Sequence, residues 1–493
     1  MSARPERLEL APGLEISRLI TGLWQIADME KDGRKLDPQA LAQDMKAYAE
    51  AGFDSFDMAD HYGSAEDIAG CFNAMRRASA VANARPAIFT KWCPTPAPMT
   101  RDIVRAAVKR ACTRLQTSKI DLMQFHWWMF QHPGWIDAMS ELAHLKDEGV
   151  IGQLGATNFD TGHLRLLHEH GIAVITNQVC VSLLDRRAMA EMSAFCAASG
   201  IRLLAYGTLG GGLLSEKWHG KPKPAGPEAT DWSTMKYLRF VEQIGGWPVL
   251  QTLLDALAEI ARKHRVSIGN VATRWVLEQP AVAGVIIGAR LGEREHRSAN
   301  LKVFDFALDA GDHRLIDAAL ATSTPIPGDC GDEYRRPPFL TATGDLSHHL
   351  ASFPKVFAAA PVPGRPDRQR LNSGSVWEPL AGYSRAVRIG DRILVSGTTA
   401  THGAGAVIAP GHAGSQTVYI LDKIRASIEA LGGAWEDVVR TRIYLRDASR
   451  WEEVARAHGR ALGHVRPANT LIEVSKLVGD YEVEIEAEAI VVN

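Results

Sequence analysis

From the N-terminus to about residue 320, short and almost continuous apolar runs alternate with stretches whose apolar positions recur at helical spacing. The runs FDSFDMA (53–59), AIFTKW (87–92), DLMQFHW (121–127), IGQLGATN (151–158), AVITNQV (173–179), RLLAYG (202–207) and GVIIGA (284–289) read as strands. Between them, Arg101–Leu115, Gly134–Lys146 and Arg187–Ala198 carry the helical period. Strands without apolar–polar alternation are buried on both faces, which indicates parallel pairing through helical crossovers. About eight such units in about 300 residues is the size of an α/β (β/α)8 TIM barrel. A doubly wound sheet competes with it, but the GxGxxG turn expected after that fold's first strand is missing. The GGG at 210–212 follows the strand RLLAYG and reads as a loop. The segment 216–248, rich in Trp, Lys, Pro and Gly, reads as a large loop over the barrel mouth.

The pattern changes twice more. Prolines crowd residues 323–368, as in TPIPGDCGDEYRRPPF, and mark a linker or an irregular lid that ends the barrel. From about 370, the runs YSRAVRIGDRILVSG (383–397), VVRTRIYLR (438–446), ANTLIEVSKL (468–477) and EVEIEAEAIVV (482–492) read as strands. They surround two helices, Gln416–Leu431, with Ile420, Ile424, Ile428 and Leu431 on one face, and Trp451 to Leu462. That is a sheet with helices on one side, a smaller α+β domain. The expected division is 1–322 barrel, 323–368 linker or lid, and 369–493 second domain.

Length agrees with this division, because 493 residues exceed what one core usually supports. A net charge of −2 with both signs interspersed leaves no electrostatic footprint for nucleic acid or an anionic membrane. The opening MSARPERLELAPGLEISRL lacks the apolar run of a signal peptide, and no later segment has the length of a membrane span. Six cysteines show no CxxC pairing, so reduced thiols in the cytoplasm are expected and a metal is not.

Enzymes built on such a barrel work at the C-terminal ends of the strands. There the sequence places Asp57 and then Tyr62 (DMADHYG), Lys91 (FTKW) and His126 (LMQFHWW). Each alone has a bland explanation, a solvated strand end or a buried ion pair. Together they form a chemistry. A tyrosine hydroxyl titrates near pH 10 and is a poor proton donor at neutrality unless a cation favours its phenolate. Lys91 can be that cation, Asp57 can hold it charged and aimed, and His126 can orient a carbonyl oxygen. Such a set protonates an oxygen while a hydride reaches the adjacent carbon.

These motifs resemble the aldo-keto reductase family along the whole first domain. By that resemblance Asp57, Tyr62, Lys91 and His126 are a catalytic tetrad with Tyr62 as general acid, and the cofactor is NADPH (NADP+). GATNFD would supply Thr157 and Asn158 to the nicotinamide amide, NQVCVSLLDR would add Gln178, and AYGTLGGGLL would stack Tyr206 on the ring. The loop from Gly207 through Leu209 to Gly211 would approach the pyrophosphate. IIGARLGEREHRSAN resembles the adenosine-phosphate clamp, with Gly288, Arg290 and Asn300 as contacts and Arg294 and Arg297 as further candidates for a 2′-phosphate. The double Trp after His126 departs from the family pattern and suggests an aromatic-walled substrate pocket of Trp24, Trp92 and Trp127, with Trp128 beside them.

Residues 370–493 resemble the Rid (YjgF/UK114) family, carried by RILVSGTTA, VRPANTLIEVSKL and VEIEAEAIV. This implies a chorismate-mutase-like fold and trimers. Active members grip a substrate carboxylate with an arginine just after Pro-Ala, and here that position is Asn469. Arg466 is a candidate substitute, and Glu484 stands at the family's acidic position. The expected protein is therefore a reductase of a small-molecule aldehyde or ketone, forming a homotrimer through a binding or oligomerising second domain. A cyclic imine reductase and a slow-turnover, nicotinamide-binding redox sensor are the alternatives.

Overall fold

The computed structural model describes residues 4–26, 36–78, 86–226, 232–293, 296–335 and 353–492. A hairpin comes first, β1 (Arg7–Ala11) with β2 (Leu14–Ser17). Eight parallel strands then close a barrel: β3 (Leu19–Gly22), β4 (Ser55–Asp57), β5 (Ala87–Trp92), β6 (Ile120–His126), β7 (Ile151–Thr157), β8 (Thr176–Cys180), β9 (Arg202–Tyr206) and β10 (Val282–Gly288). β10 pairs with β3, and the remaining strands follow in chain order. Leu10 and Ile16 of the hairpin pack with Ile20, Phe89, Leu122 and Leu204, an apolar plug in the lower barrel. Side chains alternate along a strand, so what lies two residues beyond Phe89 and Leu122 faces the same interior nearer the mouth. Those residues are Lys91 and Gln124, with His126 one step higher.

Several helices start where short polar side chains close their first turns. Thr100 accepts from the Ile103 amide at 3.4 Å, Asp160 from that of His163 at 3.0 Å, and Ser267 forms a capping box with Asn270.

The second domain is a seven-stranded sheet, and it begins earlier than expected. β11 (Ala360–Val362) and β12 (Arg365–Leu371) join it before β13 (Ala386–Ile389) and β14 (Arg392–Thr399). A two-stranded ribbon, β15 (Thr401–His402) with β16 (Ala406–Val407), follows, and β17 (Val438–Leu445), β18 (Ala468–Glu473) and β19 (Val483–Ile490) complete the sheet. The run 383–397, read as one strand, is a hairpin turning at Gly390, whose φ of 61° suits glycine. The helices Ala413–Ala430 and Trp451–Leu462 lie together, and Ile420, Ile424, Ile428 and Leu431 are all buried.

Three other expectations are corrected. The first barrel strand, Leu19–Gly22, carries too short a pattern to be read as one. The segment 216–248 is not simply a loop, because it holds the helix Trp232–Gln243. Within 323–368, besides the two strands, Asp332–Arg335 forms a helical turn buried against the barrel mouth.

Candidate active site

A cavity of about 660 Å³ opens at the C-terminal ends of the strands, and all eight lend it a residue within two positions of their last. Asp57, at the end of β4, is 3% exposed and accepts three hydrogen bonds. They come from Lys91 Nζ at 2.6 Å, Gln178 Nε2 at 2.7 Å and Gln124 Nε2 at 2.9 Å. A carboxylate only accepts, so three donors around it satisfy one another's geometry and offset the buried charge. Lys91 Nζ in turn lies over the Tyr62 ring, 4.9 Å from its centre. Trp24 packs edge-on against Tyr62 at 4.9 Å. Burial and then the neighbouring Arg335, His61, Lys91 and Lys236 push His126 well below the usual histidine range, so its ring is neutral. The four residues expected to act together thus line one cavity.

The expected cofactor contacts divide. Thr157, Asn158, Gln178, Tyr206, Gly207, Leu209, Gly211, Gly288 and Arg290 line the cavity. Thr157 Oγ1 is buried without a hydrogen-bond partner, and an orphaned buried hydroxyl beside a cavity fits an incoming amide. Gly211 holds φ at 63°, and an added Cβ would lie 2.8 Å from the Ser233 carbonyl oxygen, so the bare backbone is required there. Gln178 spends its amide N–H groups on Asp57 and Gln124, which leaves its oxygen as the acceptor it offers. Tyr206 hydroxyl donates to Asn158 Oδ1 at 2.8 Å, and burial raises its pKa well above the usual range. Asn300 sits instead at a small neighbouring recess with Gly288 and His296. Arg297 turns away, donating to the Ala47 carbonyl at 2.6 Å, and Arg294 lies outside the described residues.

The aromatic wall needs correction. Trp92 and Trp127 are 4% and 0% exposed and pack on Phe125 in the core, away from the cavity. Alternation explains it, since Lys91 and His126 face the interior and the next residue of each faces the helices. Trp128 swings back, its ring 4.1 Å from that of His126, and lines the cavity with Trp24. Sequence reading missed Gln124, although it is two residues from His126 on the same face. It also missed Lys236 and Tyr334, which no periodicity marks. Lys236 Nζ donates to the Tyr334 hydroxyl, and the Tyr334 ring stands edge-on to His126 at 5.6 Å. Beside Tyr62, donor atoms of Asp60, His61 and Cys93 lie within 4.8 Å of one another. Burial and then Asp60 push the Cys93 thiol well above its usual range and hold it protonated.

In the second domain Asn469 donates to Thr441 Oγ1 at 2.9 Å, while Arg466 turns back to the Gly463 carbonyl at 3.3 Å. The cation acting on Glu484 is Arg385, which is itself engaged by the Gly397 carbonyl at 2.6 Å and Thr398 Oγ1 at 2.7 Å.

A closed parallel barrel with Asp, Tyr, Lys and His at its strand ends defines a carbonyl-type oxidoreductase site. The aldo/keto reductase family profile matches residues 18–321, and a profile described as endoribonuclease L-PSP matches 374–491. The chain belongs to the aldo/keto reductase family and carries a Rid-family domain at its C-terminal end. It is similar to the chloroplastic pyridoxal reductase of Arabidopsis thaliana, 26% identical over 287 residues, covering 55% of this chain and 75% of the relative. Its C-terminal part is similar to a RutC family protein of Pyrococcus abyssi, 30% identical over 112 residues, covering 23% of this chain and 88% of the relative. Among solved structures, a glycerol dehydrogenase from Gluconobacter oxydans shares the barrel fold, with a TM-score of 0.51 at 24% identity over 66% of this chain and 98% of that one.

Proposed function

We propose that the barrel reduces an aldehyde or ketone with NADPH, using Tyr62 as the general acid. The observation that carries this reading is the buried Asp57–Lys91 pair set against the half-buried Tyr62, with a neutral His126 lining the same cavity. Reduced nicotinamide, when bound, supplies a hydride. Thr157, Asn158 and Gln178 would hold its amide, with Tyr206 against the ring, and Arg290 would pair with a 2′-phosphate, favouring NADPH over NADH. A neutral imidazole can donate one N–H to the substrate oxygen and orient it without carrying a charge of its own. Asp57 keeps Lys91 charged and aimed. Lys91 stabilises negative charge developing on the Tyr62 oxygen as that hydroxyl releases its proton to the substrate. Trp24 and Trp128 exclude water from the reacting face.

For the second domain we propose trimerisation, with little or no hydrolysis of amino-acid-derived imines. The neutral Asn469, already bonded to Thr441, supports the second part, because it lacks the paired cationic donors that a carboxylate needs. Free thiols at all six cysteines suit the cytoplasm, and no described helix is long and apolar enough to cross a membrane.

The test is NADPH and NADH oxidation against a panel of aldehydes, ketones and cyclic imines, with Tyr62→Phe in parallel. Loss of the hydroxyl should lower turnover by about 10²–10⁴-fold and leave cofactor affinity unchanged. Undiminished turnover in Tyr62→Phe would remove the assigned acid. Preference for imines in the panel would move the substrate class, and tight NADPH binding with no turnover would favour a redox sensor.

A further inference from the structure

The turn that presents Thr157 and Asn158 to the cavity is held from outside the barrel. Asn158 adopts the left-handed conformation, with φ 55°, which costs a non-glycine residue about 1 kcal/mol and persists only where its surroundings enforce it. Two residues on, Asp160 caps the helix Thr161–Glu169 and its Oδ2 lies 2.6 Å from His163 Nδ1. The other ring nitrogen of His163 lies 2.7 Å from Oδ2 of Asp422, on the helix Ala413–Ala430 of the second domain. The imidazole is clamped flat on Phe130, ring centres 3.6 Å apart and planes within 9°, with Trp135 edge-on to it.

A second set of contacts reaches the same turn. Arg335 donates to the backbone carbonyls of Asn158 and Trp127. Asp329, in the same segment, accepts from the Thr161 amide at 2.9 Å and lies 3.8 Å from Arg460 of the second domain. Arg460 also pairs with Glu191 of the barrel. Two ties from the second domain therefore meet just after the Asn158 turn, one from Asp422 to His163 and the other from Arg460 through Asp329 to Thr161.

We infer that the C-terminal domain is a brace for the cofactor turn: Asp422 and Arg460 are positioning residues that hold Thr157 and Asn158 in the geometry that grips the nicotinamide amide. This rests on reading those two residues as cofactor ligands, and it gives the fusion a role in the reductase itself, apart from assembly. A ligand site shaped beforehand spends less binding energy on ordering the loop, so loosening the brace weakens cofactor binding more than it slows chemistry.

With a carboxylate at each ring nitrogen, His163 can donate to both only as the imidazolium. Burial alone would push it down, but Asp160 and Asp422 outweigh that and hold it up at about 9. The other charges facing this cluster are Arg335 beside Asp160 and Arg460 beside Asp329, whose carboxyl is pushed up by burial and then by Asp160. A raised folded pKa means the link is intact below the ordinary histidine range and fades as pH rises through about 9.

The experiment is NADPH titration of the full-length chain by fluorescence from neutral to alkaline pH, comparing wild type, Asp422→Asn, Asp422→Glu and Arg460→Gln. Asp422→Asn should raise the NADPH Kd about ten-fold, a usual size for coupling between sites, with a smaller change in kcat at saturating cofactor. Its alkaline loss of affinity should begin nearer neutrality than in wild type, and Asp422→Glu should restore much of the affinity. If Asp422→Asn does not fold, Arg460→Gln decides by the same Kd against kcat comparison. Folded Asp422→Asn and Arg460→Gln with wild-type Kd and pH profile would overturn the brace and leave the reductase reading standing. A wild-type chain that binds no NADPH would overturn both.

Discussion

Replacing Asp57 by Asn keeps the shape of the side chain and inverts half of its hydrogen-bonding character. Asp57 Oδ1 accepts from Gln124 and Gln178, and Oδ2 accepts from Lys91. An asparagine must point its NH2 at one of these two sets, so donor meets donor whichever way it turns. Lys91, 3% exposed, then keeps a buried ammonium with no carboxylate against it. At 2.6 Å the gross attraction in a medium of effective dielectric near 20 is about 6 kcal/mol. Much of that only offsets desolvation, and breaking one side of such a pair typically costs about 3–5 kcal/mol. Lys91→Met alone should cost a similar amount, because it strands the carboxylate. The double variant Asp57→Asn/Lys91→Met removes both charges together, so its cost should fall at least about 2 kcal/mol short of the sum.

The assay is denaturant unfolding followed by tryptophan fluorescence on the four proteins of that cycle, with NADPH turnover measured on each. All three variants should lose most of their turnover, since each removes the charge beside Tyr62 or the group that aims it. If Asp57→Asn is within about 1 kcal/mol of wild type, or the two costs simply add, Asp57 and Lys91 do not act as a pair. The electrostatic argument for Tyr62 would then fail at its first step.

Three further outcomes are expected. His126→Asn should cut kcat/KM by about 10²-fold or more. Because the folded pKa of His126 is depressed by burial, its ring is neutral at and above the ordinary histidine range, and protonation should erode stability only as pH falls below it. An acidic limb in wild-type kcat/KM at neutral pH that vanishes in His126→Asn would contradict this. Sedimentation of the full chain should give a trimer, and a chain ending near residue 322 should not; a full-length monomer would remove the assembly role of the second domain.

The barrel was legible because buried parallel strands write themselves as apolar runs, and because strand-end polar residues have few structural reasons to be there. Asp57, Tyr62, Lys91 and His126 sit on three consecutive strands or the turns after them, so a reading that finds the strands also finds the four residues that line the cavity. The same period separates Lys91 from Trp92 and His126 from Trp127, and applying it would have sent both tryptophans into the core. Leu19–Gly22 was hidden by its length: four buried residues directly after a hairpin carry no period to detect.

The segment after the barrel was illegible for a different reason. Tyr334 meets Tyr206 across 128 residues, Glu333 meets Arg187 across 146, and Arg335 meets Trp127 across 208. A local pattern reports which face of an element is apolar, and it cannot report which distant side chain an arginine or tyrosine will find. Prolines made 323–368 read as a linker or an irregular lid that ends the barrel, and its described residues supply a wall of the cavity, a tie on Asn158, the strand β11 and the start of β12. A true spacer would leave the two domains independent. Here Asp329 accepts from the barrel at Thr161 and lies beside Arg460 of the second domain, so the connection is itself part of the joint. That is why the domains of this chain are better understood as one reductase with an internal brace than as two activities on one string.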